Sequence, residues 1–250
     1  MIREDRWLAG YFGREAFRLD AESASAELPG RIAERMQAHT AGRHAAFYYA
    51  KVDAVDTRAV YELTRAGFTV VDVNVTLDRP PSPVPEMAPG IDVHDVRPEE
   101  HAAVLDIAGQ AFRFSRYHLD PQVPRRLAHR LRREWVASYI KGDRGERLLA
   151  ATVDGRAVGF LAVLAGEVDG KSTRTIDLMA VAPPSQGLGV GTALVNGFIR
   201  VASQTADRLR VGTQVANVPS LRLYTGLGFQ IVHTAYVLHL HIGPPIEETA

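Results

Sequence analysis

Short apolar runs alternate with amphipathic stretches along the 250-residue chain, and their spacing predicts a strand–helix succession broken once by proline. Before the break, strands are predicted over 11–19, 45–52 and 68–77, with helices over 25–39 and 57–66 between them. Beyond it the pattern predicts a strand over 91–96, a helix over 98–112 opened by Pro98, Glu99 and Glu100, and a long helix over 124–141. Three strands follow in succession, over 147–153, 157–165 and 175–182, and Asp154-Gly155 between the first two is a two-residue hairpin signal. A helix over 189–203, a strand over 209–215, a short helix over 219–225 and a strand over 230–241 give the second part the order β-α-α-β-β-β-α-β-α-β.

The break is the segment 79–90, where five prolines in twelve residues withhold backbone donors and favour an extended connector. It divides the chain into an expected N-terminal unit (1–79), a linker (80–90), a larger unit (91–243) and a tail (244–250). An internal echo joins the two units: residues 60–71, VYELTRAGFTVV, recur 161 positions later as LRLYTGLGFQIV, each a short helix, Gly-Phe and a strand. Helix, glycine cap and strand is a common local unit; the other explanation is a duplication whose first copy has decayed, and the first unit has no glycine-rich loop like that of the second.

Charge and composition remove several classes of function. Lysine plus arginine and aspartate plus glutamate both total 29, leaving no broad cationic surface for a nucleic-acid partner. The absence of cysteine removes thiol nucleophiles, disulfides and thiolate metal sites. The opening residues mix acids with bases and precede no apolar run of export-signal length. The longest apolar stretches are of strand length, far short of the roughly 20 residues a membrane helix needs, so a cytoplasmic location with no membrane partner is expected.

The most informative segment is 177–194, DLMAVAPPSQGLGVGTAL: an apolar strand, a proline stop, three alternating glycines and an amphipathic helix. A strand that ends and a helix that begins at glycines aims several free amides and the positive end of the helix dipole at one spot. That is a cradle for phosphate. Thr192 follows Gly191 with no lysine nearby, so a nucleotide-hydrolysing P-loop is not indicated, and the third glycine of a dinucleotide fingerprint is also missing.

Gln186-x-x-Gly189-x-Gly191 after this strand, Asn217 downstream and Tyr224 leading to Gly228-Phe229 together resemble the acetyl-CoA-dependent GNAT superfamily of N-acetyltransferases. The resemblance implies an α/β fold with a mixed central sheet, here preceded by a smaller, degenerate GNAT-like half. It implies acetyl-CoA as co-substrate: backbone bonds from Met179, Ala180 and Val181 to its pantetheine arm, and Gln186, Gly187, Leu188, Gly189, Val190, Gly191 and Thr192 around its phosphates, with Asn217 close by. Across most of the chain, the segments 7–13, 51–53 with 67–68, 112–117 and 213–217 resemble the bacterial TDP-fucosamine acetyltransferases, which acetylate the amine of a nucleotide-linked deoxy-amino sugar. A small-molecule amine, and a nucleoside-diphosphate amino sugar in particular, is therefore the expected acceptor; the alternatives are a GNAT enzyme for another amine (an antibiotic, amino acid or protein) and a catalytically silent CoA-binding module, and a homodimer is compatible with the sequence.

Direct transfer from a thioester to an amine needs a neutral amine, donors for developing negative charge and help for the departing thiolate, but no covalent enzyme intermediate. Tyr224 stands where the superfamily commonly places a phenol near the sulfur; its alternative is a packing role. No base stands out. Asp177 is a candidate, although strand alternation equally allows an exposed carboxylate. His239 and His241 share one strand face but lack a third ligand in the sequence, so they are expected at a surface or interface and no metal is expected. Within the 112–121 loop, Arg113 or Arg116 is expected to grip a diphosphate and Tyr117 to face a sugar or base, the alternative being an ordinary packed loop. Arg125, Arg126, Arg130, Arg132 and Arg133 surround the apolar stripe of Val123, Leu127, Leu131 and Trp135, which predicts a solvated helix face.

Overall fold

Asp5 opens the first helix by accepting a hydrogen bond from the Leu8 amide (3.0 Å), and Gly13 closes it at φ 63°. Arg6–Phe12 is therefore helix α1, and the strand predicted over 11–19 shrinks to β2 (Glu15–Asp20). A short β1 (Ile2–Glu4), not predicted, pairs antiparallel with it. The computed structural model describes residues 1–20, 31–83 and 90–247; the start of the predicted 25–39 helix, linker residues 84–89 and tail residues 248–250 lie outside the described residues.

The first part continues with α2 (Arg31–Thr40), β3 (Ala46–Asp53), α3 (Thr57–Arg65) and β4 (Thr69–Arg79). The second part comprises β5 (Asp92–Asp95), α4 (His101–Gln110), the one-turn α5 (Arg116–Leu119), α6 (Arg125–Ile140), β6 (Arg147–Val153), β7 (Arg156–Val168) and β8 (Lys171–Val181). It ends with α7 (Val190–Ala202), β9 (Arg208–Gln214), α8 (Val218–Gly226) and β10 (Gln230–Ile242). Asp154 and Gly155 adopt φ 48° and 72°, as a type I′ hairpin requires. Asp169-Gly170 makes a second such turn at 54° and 71°, which lengthens β7 and β8 beyond their predicted ends.

All ten strands belong to one mixed sheet in the order β1-β2-β3-β10-β4-β9-β8-β7-β6-β5. The last strand of each part has crossed into the other: β10 lies between β3 and β4, and β4 between β10 and β9, all antiparallel. Outside that exchange the parallel pair β2–β3 is mirrored by the parallel pair β8–β9. Arg210 clamps Asp78 through two 2.7 Å bonds and so ties β9 to β4. The proline segment thus separates two stretches of sequence but not two sheets.

The echo is structural as well. Asp56 and Asn217 cap α3 and α8 through the Ala59 and Ser220 amides (2.9 and 3.3 Å), and Gly67 and Gly228 turn the chain at φ 94° and 82°. The Phe68 amide donates to the Leu63 carbonyl and the Phe229 amide to the Tyr224 carbonyl, both at 3.0 Å, with both phenylalanines buried. Leu63 and Tyr224 hold equivalent positions.

Strand alternation assigns the two faces. On β7, Leu161 and Val163 pack with α7 while Phe160 and Ala162 face α4 and α6. Helices α2, α3, α7 and α8 cover one face, and α1, α4 and α6 the other. Among the described residues, no helix is long and apolar enough to cross a membrane.

Candidate active site

The parallel pairing of β8 with β9 runs only from Thr173–Arg208 to Ile176–Val211, although β8 continues to Val181 and β9 to Gln214. The strands part at a bulge: Val163 and Ala162 of β7 face Ile176 and Leu178, leaving Asp177 as the extra residue. A cleft of about 600 Å³ opens there, running from the 111–115 loop past the bulge to the glycine turn. Past the bulge, the edge of β8 that faced β9 has no strand partner among the described residues. Met179, Ala180 and Val181 line this edge.

At the far end of the cleft, Gly187 and Gly189 adopt φ 78° and 85°, which places a helix start against a strand end. The first intrahelical bond of α7 is from the Ala193 amide to the Gly189 carbonyl (3.0 Å), and the amides of 187–192 have no backbone acceptor among the described residues. Gly187, Gly189, Gly191 and Thr192 line the cleft, whereas the Leu188 side chain points to solvent and Val190 is buried in the core, so these two offer only their amides. The Gln186 side chain donates to the Val181 carbonyl (3.0 Å), bracing the turn against β8. Free amides beside an unpaired strand edge fit a diphosphate followed by an amide-bearing arm, the chemistry of coenzyme A.

Tyr224 of α8 lines this cleft, 4% exposed, with its ring edge-on to Phe229 and the centroids 5.8 Å apart. Burial pushes its phenol up, so it remains a proton donor at neutral pH. Asn217 also lines the cleft, and its side chain caps α8 and thereby fixes the helix that carries Tyr224.

The other end of the cleft departs from the sequence expectations. Asp177 is neither exposed nor free: one carboxylate oxygen accepts from Trp135 (2.9 Å), Tyr139 (2.7 Å) and Arg144 (2.9 Å), which makes it an anchor for the bulge. Arg113 lines the cleft and is exposed. Tyr117, however, is buried among Leu8, Phe12 and Phe47, and Arg116 stacks 4.0 Å from the Tyr49 ring centroid while donating to the Tyr117 hydroxyl (2.5 Å). Neither lines the cleft, because the hydrophobic return from burying an aromatic ring decides the loop's packing. The predicted solvated face of α6 is also incomplete, since Arg132 turns into the cleft and Arg130 reaches the Tyr11 carbonyl (3.4 Å).

His239 and His241 are not at a surface. They converge on Asp120 at 2.6 and 2.8 Å, clipping the loop after α5 to β10 inside the sheet. Two imidazoles and a carboxylate can bind a divalent metal, but here both imidazoles face the same carboxylate oxygen, and their outer nitrogens are buried without partners.

Asp72 of β4 escaped the sequence analysis. It is 6% exposed, one carboxylate oxygen has no partner, and the other groups around it include the Gln214 side chain, Arg116 and Lys51. Burial pushes its carboxyl up from 3.8 to about 6, against the pull of those neighbours. Gln214 separates it from the cleft, which that residue lines. Nothing local in the sequence marks this carboxylate, because β4 reaches the site only through the strand exchange.

The model of the acetyltransferase (GNAT) family matches residues 102–229, just over half of the chain. The spore coat polysaccharide biosynthesis protein SpsD of Bacillus subtilis is 27% identical over 199 residues, which span 79% of this chain and 67% of that protein. Among solved structures, a GCN5-related N-acetyltransferase from Sphaerobacter thermophilus superposes with a TM-score of 0.59 at 19% identity, over 93% of this chain and 75% of its own. A tandem GNAT protein from the clavulanic acid biosynthesis pathway does so with 0.56 at 15%, over 86% and 69%. With the splayed strands and glycine turn in place, the chain belongs to the GNAT family and is an acetyl-CoA-dependent N-acetyltransferase.

Proposed function

We propose that the protein transfers an acetyl group directly to the amine of a nucleotide-linked amino sugar. The carrying observation is the charge of the acceptor side: the cleft-lining residues include Arg113 and Arg132, neither with a carboxylate partner among the described residues, against Asp177, which is already paired with Arg144. A polycationic acceptor would meet repulsion there; a diphosphate would meet charge-assisted donors. The relationship to a polysaccharide biosynthesis protein supports a sugar.

In this reading the co-substrate supplies an acetyl thioester. The amides of 187–192 bind its diphosphate and the open edge of β8 orients its arm, so that the acetyl group lies by the bulge. The Tyr224 hydroxyl donates to the departing thiolate. Asp72 is a buried carboxylate with an unsatisfied oxygen among the described residues and a pKa suited to take a proton from an amine near neutral pH, with Gln214 or a water between. Arg113, at the exposed rim, meets the diphosphate of the acceptor.

Incubation with acetyl-CoA and a panel of UDP- and dTDP-linked amino sugars, free amino sugars, aminoglycosides and amino acids, read by mass spectrometry, tests this proposal. Gain of one acetyl group is expected on a nucleotide-linked amino sugar, with Arg113→Gln raising its KM while sparing acetyl-CoA affinity. Equal efficiency on the free sugar removes the diphosphate grip, and transfer to aminoglycosides alone removes the sugar nucleotide altogether.

A further inference from the structure

Arg132 is a cation held where a cation is costly. Its guanidinium carbon lies 5.3 Å from the ring centroids of Phe112 and Trp135 and 5.7 Å from that of Tyr117, so three aromatic rings surround it. Its Nε is buried without a hydrogen-bond partner, and no acidic group among the described residues forms an ion pair with it. Asp177, the acid on the same wall, is held by Arg144, Trp135 and Tyr139. Burial pulls the guanidinium down to about 10, which still leaves it charged at neutral pH. A charge drawn partly out of water, with ring faces around it and only the pull of an Asp177 already paired to Arg144, is kept at a cost in stability unless a ligand completes its pairing.

Its location distinguishes it from Arg113. Arg113 is exposed at the rim. Arg132 stands one aromatic ring away from the bulge: the Trp135 indole beside it donates to Asp177, the residue at which β8 leaves β9. Whatever reaches Arg132 therefore sits beside the reacting amine, deeper than a linker held at the mouth. Arg132 lines the cleft, and its planar guanidinium matches the two oxygens of a carboxylate or of a phosphate.

We propose that Arg132 binds an oxyanionic group, a carboxylate or phosphate, carried by the amine-bearing portion of the acceptor. This rests on the acetyltransferase reading above and narrows it: the acceptor is an amino sugar acid or amino sugar phosphate, with that charge additional to any diphosphate linker.

Four acceptors separate the sources of charge: a UDP-linked amino sugar with a C6 hydroxymethyl group, its C6-carboxylate counterpart, and the two corresponding free sugars. The C6 carboxylate is expected to raise kcat/KM by about ten- to a hundredfold within each pair, the usual range for a charged hydrogen-bonded contact. Arg132→Gln should abolish that preference and leave acetyl-CoA affinity unchanged, while Arg132→Lys keeps part of it. Glucosamine 6-phosphate compared with glucosamine gives the phosphate arm, and calorimetric binding of the same compounds to the CoA complex gives a readout independent of turnover. Turnover with no preference for the carboxylate or the 6-phosphate, or a preference that follows the UDP group alone, overturns the role of Arg132 and leaves the acetyltransferase reading standing. Anion-selective binding that Arg132→Gln removes, without acetyl transfer to any of these amines, upholds the anion site and overturns the proposed acceptor. The comparison among acceptors uses the wild-type protein, so it holds even if a variant fails to fold.

Discussion

The two sides of the β10–β4 pair are built from the same parts and end differently. On one side β2 and β3 pair in parallel from Glu15–Ala46 to Asp20–Lys51 without opening. On the other, the parallel pairing of β8 and β9 stops at Ile176–Val211 and a cleft begins. At the equivalent point of the two echoed helices, the closed side has Leu63, wholly buried against Ile32 and Met36, and the open side has Tyr224 facing the cleft. The first side nonetheless contributes to the site of the second. Its last strand has moved next to β9, and Asp72 and Asn74 from that strand stand behind the acceptor side of the other half's site. A half without the glycine turn thus still supplies a wall to the site of the other.

The sharpest way to break this comparison is at Tyr224. Tyr224→Phe should lower turnover about a hundredfold, the lower end of the range for a general acid because a thiol leaves readily, with acetyl-CoA affinity retained. Equal single-turnover rates in variant and wild type would make Tyr224 a packing residue like Leu63.

A smaller effect is expected at the glycine turn. Gly189 adopts φ 85°, so any side chain there strains the backbone and mixes two causes. Gly191 has no such φ, and an added Cβ meets Leu223 only at 3.4 Å. Gly191→Val should therefore weaken acetyl-CoA binding by about tenfold, roughly 1.4 kcal/mol, with little change in melting temperature. Unchanged affinity by calorimetry would move the phosphates away from this turn.

The smallest effect, and the one that tests the contribution of the first half, is at Asp72. A carboxyl whose pKa rises from 3.8 unfolded to about 6 folded binds its proton more tightly in the native state. It therefore costs stability above about pH 6, and the cost fades as the pH falls through 6 towards 4. Asp72→Asn is expected to raise the melting temperature by a few degrees at pH 8 and not at pH 4, while slowing turnover. A variant that is less stable at pH 8 would show a carboxylate that the fold uses rather than tolerates.

What the sequence made legible is local. The glycine turn, the hairpin at Asp154-Gly155 and the capped helix before Gly228-Phe229 each depend on neighbours within a few positions, and each stands as read. The N-cap at Asp5 and the left-handed Gly13 that bound α1 are local too, and a strand read from Tyr11 passed over them. Residues that the fold assembles from afar were not legible. The periodicity of α6 counts Arg132 as polar and so sends it to solvent, yet an aromatic-lined cleft can hold a guanidinium. His239 and His241 acquire their carboxylate only because β10 passes beside the loop that carries Asp120, a juxtaposition set by strand order.

An interior strand of the sheet, β10, is also the last of the ten in the sequence. Its pairing partners, β3 and β4, are made long before it: Asp53 must wait for Ala235, and Asp78 for Gln230. Until β10 arrives, the facing edges of β3 and β4 expose unpaired amides and carbonyls, the surface that recruits a foreign strand. Closing such distant pairs is slow for entropic reasons. Inserting β10 between β3 and β4 removes both of those edges at once.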